Sequence, residues 1–72
     1  MQTVGTISIT VNGEPKVAPS GSTVTQLLES LALRAGRVAI ERNLQILPRS
    51  EWATTEVAAG DRYEIVQFVG GG

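Results

Sequence analysis

Only one stretch of this chain repeats its apolar residues at helical spacing. Val24, Leu27, Leu28 and Leu31 fall at i, i+3, i+4 and i+7, a single stripe along one helix. In a chain of 72 residues, a lone helix has no second helix to bury that stripe against, so it must cover one face of a sheet. The start is marked by Thr23 with Gln26 three residues on, the pattern of a capping box, in which hydroxyl and amide each satisfy an orphan backbone donor. Gly36 is the expected stop, since glycine accepts the left-handed conformation that ends many helices. Leu28, in the middle of the stripe, is expected to be the most buried position.

The rest of the chain reads as strands. Ile7, Ile9 and Val11 alternate with Thr6, Ser8 and Thr10, which predicts a strand over 6–11 with one face buried. Asn12-Gly13 follows, and both residues tolerate positive φ, so a tight hairpin leads into a second strand around Lys16-Val17-Ala18. Pro15 and Pro19 keep that strand short and at an edge. After the helix, Val38 and Ile40 point inward along 37–42, Asn43-Leu44 turns, and Gln45-Ile46-Leu47 forms a short strand that Pro48 ends. Ser50 to Ala53 forms a single turn that folds Trp52 over the core, and Ala59-Gly60-Asp61 turns the chain into a final strand over 62–68.

The order strand, strand, helix, strand, strand, strand predicts an α+β fold: a mixed five-stranded sheet packed on one helix. A right-handed crossover brings the last strand beside the first, in the centre of the sheet. That is the β-grasp, or ubiquitin-like, arrangement, although element order alone also admits another small α+β packing. The expected division is a folded domain over 1–69 and a flexible glycine tail over 70–72.

Composition excludes several functions. The chain has no cysteine and no histidine, so it lacks the usual thiolate nucleophile, the usual base near neutral pH and the two commonest transition-metal ligands. A domain this small buries only about 60% of its unfolded surface and has little room for an active-site cavity. The chain is therefore expected not to be an enzyme and to bind no cofactor or metal of its own. Its formal net charge is -1, and its arginines are scattered among acidic residues, so nucleic acid is not an expected partner. The first residues show no basic segment followed by an apolar block, and no apolar run approaches the ~20 residues of a membrane span. The expected address is cytoplasmic, with no membrane partner.

The sequence ends Phe68-Val69-Gly70-Gly71-Gly72. Glycines in that place fit either a frayed end or a working tail. Three points favour work. Without Cβ atoms the tail can thread a narrow tunnel. Three extended residues reach ~10 Å beyond the folded body. A terminal carboxylate, unreactive by itself, becomes an acyl donor once its oxygen is turned into a leaving group. The last strand adds a clue, since Tyr63 and Ile65 share one phase while Glu64, Val66 and Phe68 share the other. If the first phase faces the helix, Val66 and Phe68 form an exposed docking surface beside the tail; the opposite phase is the alternative.

The segments VNGEP, STVTQLLESL, VAIERN, ILPRSEW and GDRYEIVQFVGGG, in that order, resemble the ThiS family of sulfur carriers over nearly the whole chain. The resemblance implies a cycle. A ThiF-type adenylyltransferase uses ATP to adenylate the terminal carboxylate, here Gly72, and a persulfide from a sulfur donor protein then replaces AMP. The resulting thiocarboxylate gives its sulfur to the thiazole synthase, ThiG, in thiamin biosynthesis. Gly72 then bears the sulfur, Gly70 and Gly71 thread partner sites, and Val66 and Phe68 dock. ATP belongs to the partner enzyme.

Three rivals stand beside this reading. The small subunit of molybdopterin synthase has the same kind of terminus but typically a Pro-Pro pair before it, where this chain has Gln67-Phe68-Val69. A ubiquitin-like modifier would end in an amide bond to a lysine. A plain binding module would carry an incidental tail. Ser20-Gly21-Ser22 lacks the lysine of a phosphate-binding loop and reads as a connection into the helix. Trp52 reads as a core lid, and Arg42 and Arg49 as solvated surface charge.

Overall fold

The helix begins where the capping box predicts and ends sooner than Gly36 suggests. In the computed structural model, which describes residues 5–33 and 35–68, α1 spans Val24–Ser30. Its first turn leaves no donor idle. Gln26 N–H donates to Thr23 Oγ1 (3.2 Å), and Thr23 N–H donates to Gln26 Oε1 (2.9 Å). Val24 N–H donates to Thr55 O (2.9 Å) and Thr25 N–H to Trp52 O (3.3 Å), so the later connection supplies the acceptors that the helix itself lacks.

The helix stop is the first correction. Leu31 is the C-cap, and the left-handed residue after it is Ala32, at φ 59°. Ala32 N–H donates to Glu29 O (3.0 Å) and Leu33 N–H to Leu28 O (3.1 Å), the two bonds of a Schellman motif. Leu33 packs against the core cluster that includes Leu28, in keeping with the apolar contact this motif favours, and the helix stops a turn early. Gly36 instead lies inside a single 3-10 turn, Ala35–Arg37. The second correction concerns burial: Leu28 is buried, but Val24 and Tyr63 are more completely so, because both sit where helix, sheet and connection meet.

The strands are β1 (Thr6–Val11), β2 (Glu14–Pro19), β3 (Val38–Arg42), β4 (Gln45–Ile46) and β5 (Arg62–Gln67). Their order across the sheet is β2-β1-β5-β3-β4. β1 and β5 run parallel, and the other neighbours run antiparallel. The last strand is therefore central, as the crossover argument requires. β2 is longer than expected and holds both prolines, which an edge strand tolerates because one side needs no donors. The hairpin turn carries Asn12 at φ 52° and Gly13 at φ 82°, the paired positive angles that match the twist of two-residue hairpins.

β1 stops beside Tyr63, yet β5 runs on. Asn12 bridges the gap with its side chain: Ile65 N–H donates to Asn12 Oδ1 (2.8 Å), and Asn12 Nδ2 donates to Ile65 O (3.1 Å). One amide thus serves as an extra rung of the sheet where the backbone has already turned away. The core joins Ile9, Val11, Val38, Ile40, Tyr63 and Ile65 of the sheet to Val24, Leu27 and Leu28 of α1, with Trp52 and Val57 closing one end. Trp52 is the expected lid, and its Nε1–H donates to Leu47 O (2.9 Å). The division at 69/70 lies outside the described residues.

Candidate functional site

β5 alternates between buried and exposed residues from Arg62 to Val66, and Gln67 after it is exposed. Tyr63 and Ile65 are buried, while Val66 and Phe68 are 59% and 57% exposed. The inner phase belongs to the core, which leaves Val66 and Phe68 on the side of the sheet that the helix does not cover. Register sets their neighbours. Ala39 lies opposite Val66, and Glu41 lies opposite both Glu64 and Ile46. Ile46 is also exposed. Ala39, Ile40, Glu41, Ile46, Glu64 and Val66 line an open groove of about 280 Å³, an apolar strip with two carboxylates on it. Exposed apolar side chains gathered on one face of a small protein mark a contact surface.

The end of β5 is held as well. Phe68 N–H donates to Arg37 O (2.7 Å), so the sheet reaches one residue past the strand proper. Arg37, Gln67, Phe68 and Ala32 line a second open groove there. This is the root of the glycine segment. Gly70, Gly71 and Gly72, the residues expected to carry the chemistry, lie outside the described residues.

A polar cluster anchors the other end of β5. Asp61 is buried and accepts four hydrogen bonds: from Ala58 N–H (2.9 Å), Arg42 Nε (3.0 Å), Tyr63 OH (2.8 Å) and Asn43 Nδ2 (3.1 Å). Burial alone would push its carboxyl up, but these donors outweigh burial and hold the pKa below its ordinary value. Burial, and then the hydrogen bond to the Asp61 carboxylate, push the Tyr63 hydroxyl up to about 12. The cluster ties the β3–β4 turn to the start of β5 and is structural. It corrects the expectation for Arg42, whose guanidinium is an ion-pair partner rather than a solvated charge. Arg49 is exposed, as expected.

The period of two left either phase of β5 open, and the buried Tyr63 and Ile65 decide for the one that exposes Val66 and Phe68. Sequence reasoning missed Asn12 as a rung and Asp61 as a hub, because their partners lie 53 and 19 residues away and no local pattern announces them. Among the described residues, no group of three His, Cys, Asp or Glu side chains could hold a metal ion. No helix among them is long and apolar enough to cross a membrane.

A sequence profile of the ThiS family matches residues 7–72. The chain belongs to the ThiS family. The sulfur carrier protein ThiS of Escherichia coli K12 is 36% identical over 66 residues, which cover 92% of this chain and all of that protein. The crystal structure of the thiamine biosynthesis protein ThiS from Geobacter metallireducens superposes with a TM-score of 0.78 at 36% identity, over 92% of this chain and 100% of the other. The β-grasp fold is thus shared with a ThiS structure. A thiazole synthase of Paramagnetospirillum magneticum is 42% identical over 66 residues, 92% of this chain. This chain spans only 20% of that enzyme's length.

Proposed function

We propose that this chain carries sulfur for thiamin biosynthesis on the carboxylate of Gly72. The observation that carries the proposal is the pairing of an open apolar sheet face, at Val66 and Phe68, with a glycine segment rooted beside it, in a chain of the ThiS family. A body that docks and a tail without side chains are what a carried acyl group requires. Docking holds the scaffold, while the glycines pass through a channel that a Cβ would block.

The chemistry belongs to the partners. A ThiF-type adenylyltransferase joins the Gly72 carboxylate to the α-phosphorus of ATP, releasing pyrophosphate and leaving an acyl adenylate. The terminal sulfur of a donor protein's persulfide attacks the carbonyl carbon, and AMP departs. A second thiol then attacks the donor's own sulfur, forming a disulfide with it as the S–S bond to the carrier breaks, and the thiocarboxylate is released. Thiazole synthase takes that sulfur and releases the carrier for another round. The chain itself acts as co-substrate, contributing a docking face, a threading tail at Gly70 and Gly71, and one reactive terminus. The thiazole synthase likeness supports that enzyme as the acceptor, and reliance on ATP fits a cytoplasmic address.

The test is genetic. In a strain lacking its own carrier, this chain restores growth without added thiazole, and the chain shortened by Gly71 and Gly72 does not. Growth restored equally by the shortened chain contradicts the proposal.

A further inference from the structure

Glu41 and Glu64 stand directly opposite each other on the antiparallel β3–β5 pair, and both are exposed. Like charges in directly opposed positions destabilise a sheet. Among the described residues no cation closes this pair. Arg42, next to Glu41, is committed to Asp61. Arg62 shares the open face two residues before Glu64, but it lies within ion-pair distance of neither carboxylate. Around the two carboxylates lie Ala39, Ile46 and Val66, walls of the same groove.

From this arrangement we infer that the groove receives an arginine or lysine of the enzyme that activates the tail. The aliphatic stem of that side chain lies along Ala39, Ile46 and Val66, and its charged head sits between Glu41 and Glu64. Long basic side chains cover apolar surface with their stems while keeping the charge at the edge, and a groove with apolar walls strengthens the attraction of a cation to the two carboxylates. The activating enzyme is the fitting occupant because it must find the free carrier once every turnover, and opposite charges raise encounter rates. A nucleic-acid backbone or an anionic surface would only add like charge.

The inference rests on the sulfur-carrier reading and is tested beside it. Wild type, Glu41→Gln, Glu64→Gln and the double variant are charged by a ThiF-type enzyme with ATP, and kcat/KM is measured at low and high salt together with the melting temperature. Each single variant is expected to lose kcat/KM by about five-fold at low salt, and the double variant by more, with much of the difference gone at high salt. Their melting temperatures should equal or exceed that of wild type, since the repulsion is relieved. A merely structural role would move stability and charging in the same direction. Wild type that charges normally, with variants of unchanged kcat/KM, overturns this inference and leaves the carrier reading standing. Wild type that does not charge at all removes the carrier reading and this inference with it.

Discussion

Tyr63 and Ile65 lie buried against the helix layer, while Glu64 and Val66, each one residue along the same strand, stand open. The inner side is closed by packing, and Asp61, the buried carboxylate among the described residues, is fully partnered. The outer side exposes Val66, Phe68 and Ile46 and sets two carboxylates face to face. Core packing accounts for the buried residues of the first side, and the exposed apolar residues of the second contribute little to it. In the function proposed above, the second side serves contact with another protein.

Substitution tests that contrast, and the largest effect comes from neighbouring residues of β5. Ile65→Ala should cost about 2–5 kcal/mol in urea unfolding, the range for deleting a buried aliphatic side chain. Val66→Ala should change stability by no more than about 0.5 kcal/mol while weakening the activating enzyme's hold on the carrier. Equal losses of stability at both sites would erase the distinction between the faces.

Asp61→Asn comes next, at about 1.5–3 kcal/mol near neutral pH, the scale for hydrogen bonds to a charged group. Its folded pKa is depressed below 3.8, so the stabilisation is present above that pH and is lost as pH falls through the folded value. Unfolding measured down a pH series should show wild type and variant converging below about pH 4. Tyr63 behaves in the opposite sense. Its hydroxyl is raised from 10.0 to about 12, so its contribution is intact below pH 10 and disappears as pH climbs through 12. Tyr63→Phe should lack that part of the alkaline decline.

The smallest effect is a gain. Leu44 is exposed and held at φ 72°, a conformation that costs a residue with a side chain roughly 1–2 kcal/mol. Leu44→Gly should therefore raise stability by about 0.5–1 kcal/mol, after the added chain entropy of glycine. A loss on that substitution would mean that Leu44 packs in solution and belongs with the inner face.

What was legible in the sequence was local. The helix stripe, the capping box, the β1 alternation and the Asn12-Gly13 turn each declare themselves within a few residues, and from them the element order and central last strand followed. The two phases of β5 were legible for the same reason, but which of them faces the helix was decided by packing, which buries Tyr63 and Ile65 and leaves Val66 and Phe68 exposed. The helix stop was not, because Ala32 occupies a left-handed position where composition favours glycine, and Gly36 made a better signal in a worse place. Arg42 was misread because its partner comes from the far side of the turn before β5. Asn12 concealed a second task behind its first, since a turn residue gives no sign that its amide will bind a strand 53 positions later.

The most direct measurement is the intact mass of the carrier after incubation with a ThiF-type enzyme, ATP and a persulfide donor, followed by fragmentation to locate the change. Replacement of one oxygen by one sulfur, confined to the Gly72 carboxyl, is the predicted result. An unaltered mass under conditions that charge an authentic ThiS, or sulfur found anywhere other than Gly72, would contradict the account.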